Sequence, residues 1–340
     1  MRILITGGAG YIGSHSLLCL LNCGYEVVVY DNLANASAES VRRVEKLTGK
    51  TCTFVEGDVC DSKALDQLFA SHSIEAVVHF AALKAVGESV QKPLSYYHNN
   101  VYGSVCLLEA MHKAGVNNFV YSSSATVYGE SNPSPYTETM NLGSPSSPYG
   151  ASKVMVERIL QDKASADQNF RAISLRYFNP IGAHSSGDIG EDPAGIPNNL
   201  LPFITQVAVG KRDKLNVFGG DYPTADGTCV RDYLHIMDLA EGHRVAIDWL
   251  VEHPSFSGVE AFNLGTGQGV SVMEIIHSFQ EATGQQIPYQ ITERRAGDLP
   301  AFWANPEKAN RVLGWQAKYS LSEMMEDAWR WQMQNPNGYN

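Results

Sequence analysis

The stretch Arg2-Ile3-Leu4-Ile5-Thr6-Gly7-Gly8-Ala9-Gly10-Tyr11-Ile12-Gly13 decides the fold. Arg2 to Thr6 is short and mostly apolar, as a buried strand requires, and the glycines follow it directly before a helical run over residues 12–23. Glycines at 7, 10 and 13 suit a tight turn, close approach of backbone to a pyrophosphate and close helix-to-strand packing, with the phosphates at the helix N-terminus. The spacing is GxxGxxG, one residue longer between the first two glycines than the GxGxxG fingerprint. A second strand over residues 26–30 leads to Asp31, about twenty residues beyond the glycines, where a carboxylate bonds the adenosine ribose hydroxyls. Its charge also repels a 2′-phosphate. Strand, glycines, helix, strand and acid in that order predict a bound dinucleotide, NAD rather than NADP.

Strand and helix keep alternating downstream. The pattern predicts helices over 38–47, 62–71, 93–114 and 148–165, and strands over 52–56, 76–80, 118–122 and 171–177, the last of which is expected to close the sheet. This is the grammar of an α/β fold, a Rossmann-type doubly wound parallel sheet, whose ligands sit outside the carboxyl ends of the strands. That rule selects Gly57-Asp58-Val59, Phe80-Ala81-Ala82-Leu83-Lys84 and Ser122-Ser123-Ser124. Asp58 is placed for the adenine edge, Lys84 for cofactor hydroxyls and Ser124 for the nicotinamide. After Tyr177-Phe178-Asn179-Pro180 the composition changes: residues 181–199 carry four glycines, two prolines and three acids without periodicity, as a boundary that also lines a site would. We therefore divide the chain into an NAD-binding domain over 1–180 and a smaller mixed α/β substrate domain over 181–340, some segments of which are expected to return to the first. Helices are predicted over 199–209, 237–251, 271–282 and 320–333, with a strand over 214–218; Trp315, Trp329 and Trp331 read as packing of this smaller domain.

Composition narrows the function. A chain of 340 residues is long enough for two cores. With 25 basic and 36 acidic residues, net −11, it has no basic stripe for a nucleic-acid backbone, so no nucleic acid is expected. Met1 and Arg2 run straight into the first strand, and no apolar stretch approaches the roughly eighteen residues of a membrane span. A cytoplasmic protein with no membrane partner is expected. Cysteines 19, 23, 52, 60, 106 and 229 form no CxxC pair, and there is no HExxH, so no metal is expected.

The chemistry points to Tyr149-Gly150-Ala151-Ser152-Lys153, because a phenol and an ammonium four residues apart on a helix point the same way. A free phenol titrates near ~10, and a neighbouring cation lowers that value. Ser147 and Pro148 fit the N-cap and first helical position, which puts Tyr149 in the first turn, where the helix dipole also favours negative charge. Both the cation and the dipole are expected to push the phenol toward ionisation.

The segments TGGAGYIGSH from Thr6, FAALKAVGES from Phe80, SSSATVYG from Ser122, YGASK from Tyr149, LRYFNPIGAH from Leu175, GEDPAGIPNNL from Gly190, VRDYLHIMDLA from Val230 and RRAGDLPAFWA from Arg294 span nearly the whole chain. Together they resemble the extended short-chain dehydrogenases/reductases, and within them the enzymes that epimerise UDP-hexoses. The resemblance implies reversible inversion at C4 of UDP-galactose and UDP-glucose in galactose metabolism, through a transient 4-keto sugar, with tightly held NAD reduced and reoxidised in one turnover. It also implies a homodimer formed by the helices after strands four and five. By position, Tyr149 is the base, Lys153 its electrostatic partner and ribose ligand, and Ser124 the hydrogen-bond partner of the reacting hydroxyl. The implied cofactor contacts are Gly7, Gly10, Tyr11, Ile12 and Gly13 in the glycine loop, Asp31 and Asn32 after the second strand, and Asp58 and Val59 after the third. Phe80, Ala81, Lys84, Asn99, Ser122, Tyr177 and Phe178 complete them. For the substrate, Arg231 and Arg295 are anchors for the pyrophosphate, since guanidinium forks suit phosphate oxygens. Phe218 lies beside the uracil, Asn179, Asn199 and Asp298 serve phosphate, backbone-adjacent and ribose contacts, and Lys84, Leu200, Asn216 and Tyr233 complete the set, with Ser124 and Tyr149 also touching the sugar.

C4 of a hexopyranose is unactivated, so direct displacement is difficult, whereas removing hydride makes a planar ketone with no configuration at that carbon. Returning hydride and proton to the opposite face gives the epimer. A sugar-nucleotide 4,6-dehydratase shares the fold, the NAD and the YxxxK but adds an acid pair after the strand-five hydroxyl residue; here those positions are Ala125 and Thr126. The fold and the glycine loop also admit a reductase that releases its cofactor, or a cofactor-binding regulator without turnover, although such a regulator has no need of the base. Phe302 stands where the family has a gate beside the hexose: a small residue there admits N-acetylated sugars and a bulky one, commonly Tyr, does not.

Overall fold

The computed structural model describes residues 1–339 apart from 194, 196, 198, 296 and 297. Its first half runs β1 (Arg2–Thr6), α1 (Tyr11–Asn22), β2 (Glu26–Asp31), α2 (Ala38–Thr48), β3 (Thr53–Glu56), α3 (Ser62–Ser71), β4 (Ala76–His79), α4 (Val86–Gln91), α5 (Pro93–Tyr96), a π-helical turn (Tyr97–Tyr102), α6 (Gly103–Ala114), β5 (Asn118–Ser122), α7 (Pro148–Ala166) and β6 (Arg171–Tyr177). The rest runs β7 (Asn179–Ile181), α8 (Leu200–Ala208), β8 (Leu215–Phe218), β9 (Val230–Arg231), β10 (Tyr233–His235), α9 (Ile236–Glu252), β11 (Gly258–Leu264), β12 (Val270–Ser271), α10 (Val272–Thr283), β13 (Tyr289–Thr292), β14 (Ala301–Phe302), α11 (Glu307–Leu313) and α12 (Leu321–Gln334).

Successive side chains on a strand point to opposite faces, and here both faces are apolar. Ile3, Ile5, Val27, Val29, Val78 and Val120 pack into one core with Leu17 and Leu20 of α1, while Leu4, Val28, Val77 and Phe119 pack into another with Leu65 of α3 and Leu107 of α6. The result is a seven-stranded sheet in the order β11-β6-β5-β4-β1-β2-β3, and every pairing in it is parallel. β1 has β2 on one side and β4 on the other, so the order reverses there and a crevice opens at the carboxyl ends of those strands.

Two expectations change. β6 does not close the sheet: β11 pairs with it along its whole length, from Gly258 opposite Arg171 to Leu264 opposite Tyr177, and α9 packs against α1. The sequence of β11 hides this, because only its last three residues are buried and its apolar run is correspondingly short. The single helix predicted over 93–114 is instead α5, a π turn and α6 in succession, and α4 precedes it. In the remaining chain, α8, α10 and α12 enclose Ile204, Ile275, Phe279 and Met325 beside the short β8–β13 ladder. α10 and α12 each start at a complete capping box, Ser271 with Glu274 and Ser320 with Glu323. Among the described residues, no helix is long and apolar enough to cross a membrane.

Candidate functional site

The glycine loop sits in the crevice between β1 and β4. Gly7 turns with φ +71°, and a Cβ on it would lie 2.6 Å from Ala81 N; one on Gly13 would lie 2.2 Å from the Gly7 carbonyl oxygen. Only glycine lets the loop rest on the end of β4 and α1 rest on the loop. Gly10, the N-cap of α1, lines the cleft; a Cβ on it would meet no atom closer than 3.4 Å, and no side chain caps the helix. The first N–H groups of α1 are therefore presented to an anion. Asp31 stands beside them, buried, with Oδ2 accepting from Ala9 N at 3.0 Å and Oδ1 from Leu33 N at 2.9 Å. Burial raises its pKa, and those two N–H groups oppose the rise. The cleft is long and open, running from the glycine loop and Asp31 past Asn99 to Tyr149 and Tyr177. That extended lining suits an elongated ligand such as a dinucleotide.

Most of the expected cofactor residues meet here. The lining includes Gly7, Gly10, Tyr11, Ile12, Gly13, Asp31 and Asn32 from the first two βα units, with Val59, Phe80, Ala81, Lys84 and Asn99 beyond them. Ser122, Tyr149, Lys153 and Tyr177 close the far side. The π turn explains Asn99: its neighbour Asn100 is buried and holds Leu83 through both backbone groups, at 2.8 and 3.0 Å, which leaves Asn99 to the cleft. Asp58 and Phe178 differ from the rest. The Asp58 carboxylate is taken up by Cys60 N at 2.8 Å and Asn32 Nδ2 at 3.0 Å, and Gly57 and Val59 form the wall on either side. Phe178 turns instead toward Tyr136 and Phe302, with ring centroids 6.2 and 6.0 Å away.

At the carboxyl end of β5, Ser124, Tyr149 and Lys153 come together. Ser147 caps α7 by accepting from Gly150 N at 3.2 Å, Pro148 follows, and Tyr149 lies in the first turn as the sequence predicts. Lys153 Nζ donates to the Ser122 carbonyl at 2.7 Å and lies 5.8 Å from the Tyr149 ring centroid. The electrostatics correct the expectation of a readily ionised phenol. Burial dominates and raises the Tyr149 pKa above its ordinary value, and the Ser124 hydroxyl is the group that pulls it back. Burial also lowers the Lys153 ammonium to about 7, with Glu157 one turn along α7 opposing. Glu157 is itself paired with Arg176, Oε2 to Nη2 at 2.6 Å, and accepts from Ser123 Oγ at 2.5 Å, so a buried ion pair sits beneath the site. Ser124 Oγ accepts from Thr126 N at 3.2 Å and Thr126 Oγ1 at 3.0 Å.

The residues expected to anchor the UDP are not among that lining and fall into smaller sets. β14 runs beside β9 with Phe302 opposite Arg231, and the Arg231 guanidinium carbon lies 4.5 Å from the Phe302 ring centroid. Arg231 also reaches Asp298 at 3.6 Å, and Arg295 binds Asp298 at 2.9 Å while lying 4.9 Å from the Phe218 ring. Tyr233 is buried on β10 opposite Asn179 of β7. Asn216 and Phe218 share the exposed face of β8, Asn216 accepting from Gln290 at 2.7 Å. Asn199 stands at the N-terminal position before Leu200 of α8, but its side chain makes no capping bond and instead donates to Glu191 at 2.7 Å. Glu191 also binds Lys84 at 3.1 Å, which links Asn199 to the cleft. Glu191, residues 35–37 and Tyr339 line the cleft without having been singled out from the sequence; only the count of acids in residues 181–199 hinted at Glu191.

A family profile described as GDP-mannose 4,6 dehydratase matches residues 4–328. A UDP-glucose 4-epimerase of Erwinia amylovora is 59% identical over 338 residues, which is 99% of each chain. The UDP-glucose 4-epimerase of Stenotrophomonas maltophila, solved with bound NAD and formylated UDP-arabinopyranose, superposes with a TM-score of 0.95 at 46% identity over 99% of both chains. That of Bifidobacterium longum, in complex with NAD+ and UDP, gives 0.95 at 47% identity, covering 99% of this chain and 100% of its own.

Proposed function

The chain belongs to the GDP-mannose 4,6 dehydratase family, an extended short-chain dehydrogenase/reductase family, and on that premise we infer that it is an NAD-dependent isomerase that interconverts UDP-galactose and UDP-glucose by inverting C4. The observation that carries the reading is Tyr149 and Lys153 in the same cleft as the glycine loop and Asp31, with the Ser124 hydroxyl against Tyr149 at the end of β5. The glycine cradle, the uncapped start of α1 and the oriented Asp31 carboxylate fit a dinucleotide. When bound, NAD supplies the acceptor, and in its reduced form the donor, of the C4 hydride.

The chain's own residues do the rest. Tyr149 Oη takes the proton of the C4 hydroxyl as the hydride leaves, and Ser124 Oγ hydrogen-bonds the same oxygen. Because burial keeps the free phenol protonated, Tyr149 must first lose its own proton to solvent before it can act as the base, and the Lys153 ammonium has the task of stabilising the resulting phenolate until it takes up the C4 hydroxyl proton. Arg231, Arg295 and Phe218 hold the nucleotide while the 4-keto hexose turns; Tyr149 then returns the proton on the opposite face. Elimination of water, the chemistry in the family's own description, finds no acid pair: Ala125 is buried, and Thr126 hydrogen-bonds Ser124.

The reading extends to galactose metabolism, to a cytoplasmic enzyme and to a homodimer. All six cysteines are free, which suits a reducing compartment. Leu94, Tyr102 and Met155 expose large apolar surface on α5, the π turn and α7, supporting an interface there; sedimentation of Met155→Glu should give half the parent mass. The deciding experiment incubates purified protein with UDP-galactose and assays UDP-glucose without added NAD. Conversion is expected, and a requirement for NAD in proportion to product would overturn the reading.

A further inference from the structure

The loop that brings Glu191 into the cleft is held from behind by the turn after α12. Tyr339 Oη accepts from Gly190 N and donates to Gly190 O, both at 3.2 Å, and Tyr339 N donates to Asp192 Oδ2 at 2.9 Å. Between them, Trp331 Nε1 donates to Glu191 O at 3.2 Å. A Cβ on Gly190 would lie 2.3 Å from Trp331 Cγ, so the loop lies flat on that indole. Arg43, from α2 of the first domain, places its guanidinium carbon 5.1 Å from the Tyr339 ring and 5.9 Å from the Trp331 ring, and donates to Asn335 Oδ1 and Asp188 O. On the inner side of the same loop, Glu191 holds Lys84 and Asn199. Tyr339 and Glu191 line the cleft opposite the glycine loop and residues 35–37.

We propose that Tyr339 is a positioning residue for the cofactor: by fixing residues 190–192 it sets Glu191 against Lys84 and closes one wall of the cleft, so that the dinucleotide is retained between turnovers. This rests on the reading of the cleft as an NAD site. Four of the contacts that fix the loop converge on two aromatic side chains and one backbone N–H, and none of them touches Ser124, Tyr149 or Lys153. The reaction itself is therefore spared when they are lost, and retention is not.

Tyr339→Phe keeps the ring over Arg43 and removes both bonds to Gly190; Tyr339→Ala removes the ring as well. The protein is purified with its NAD, and escape of NAD is followed by assaying filtrates with alcohol dehydrogenase. Loss of two hydrogen bonds should speed release about tenfold in Tyr339→Phe, and release should be faster still in Tyr339→Ala. KM for UDP-galactose should rise through Lys84, while kcat per NAD-loaded site stays within about twofold. Met333→Ala, at an exposed position of α12, should release NAD at the parent rate. Unchanged release in both variants, from a parent that holds its NAD, overturns the positioning role and leaves the epimerase reading standing; a parent that holds no NAD overturns both. A lowered Tm in Tyr339→Ala with release and KM unmoved assigns the residue to packing alone and also overturns the proposal. If Tyr339→Ala does not fold, the release rate of Tyr339→Phe decides.

Discussion

Phe302→Cys is expected to admit N-acetylated UDP-hexoses that the parent turns over poorly. The Phe302 ring is half-buried, lies parallel to Tyr136 at 6.1 Å, stands 6.0 Å from Phe178 and carries the Arg231 guanidinium 4.5 Å from its centroid. It therefore faces Arg231, which we propose as an anchor of the substrate. An acetamido group at C2 needs the volume of that ring, and overpacking a formed site costs ~1–3 kcal/mol, so truncation should raise kcat/KM for UDP-N-acetylgalactosamine roughly ten- to hundredfold. The cost to the natural substrate is smaller. Losing a partly exposed cation–π contact of ~0.5–1 kcal/mol corresponds to about two- to fivefold in affinity. Arg231 Nη1 still donates to Val230 O at 2.9 Å and Leu299 O at 2.8 Å, which keeps the guanidinium in place. Stability should fall by ~1–3 kcal/mol, below the ~3–5 kcal/mol of a fully buried Phe. Steady-state kinetics with UDP-galactose and UDP-N-acetylgalactosamine, on parent and variant, measure all of this except the last, which a urea titration gives. Near-equal kcat/KM for the two sugars before mutation, or no gain in N-acetyl activity after it, would refute the placement of Phe302 beside the hexose.

Tyr149→Phe removes only the ionisable oxygen and should lower kcat ~10²–10⁴-fold while NAD and UDP-sugar remain bound; a variant keeping most of its kcat would sink the base assignment. Lys153→Met should slow the reaction and move the onset of activity to higher pH, because the phenolate loses its cation, and an unchanged pH–rate profile would count against the coupling. The same variant bears on stability. The folded Lys153 titrates at about 7 against an ordinary 10.5, so between those values the unfolded chain binds the extra proton and the stability of the parent rises with pH. The burden of Lys153 is thus fully present below about pH 7, where Lys153→Met should raise the Tm of the apoprotein most, and the difference should vanish above about pH 10.5; a Tm gain independent of pH would contradict this. Asp31→Ala should weaken NAD binding and reduce discrimination against NADP, which reconstitution of apoprotein with each cofactor checks.

The features legible in the sequence are those whose geometry closes within a few residues of chain. The turn after β1 demands glycine at Gly7 and Gly13 whatever else surrounds it, a strand ending at Asp31 delivers a carboxylate beside that turn, and a helix places Tyr149 and Lys153 on one face. The resemblance across the motifs then carried the family and the reaction. Tertiary structure decided what depends on partners distant in the chain. β11 became the edge of the sheet because β6 offered it a ladder, although its own apolar run is too short to announce a strand. Phe302 met Arg231 through a register between β14 and β9, and Asn99 faced the cleft because Asn100 is held by Leu83. The ionisation of Tyr149 shows the division most plainly. The nearby cation and the helix dipole are local and point downward, yet the phenol's pKa goes up, because desolvation is set by everything packed around the oxygen and local spacing contains no measure of that packing.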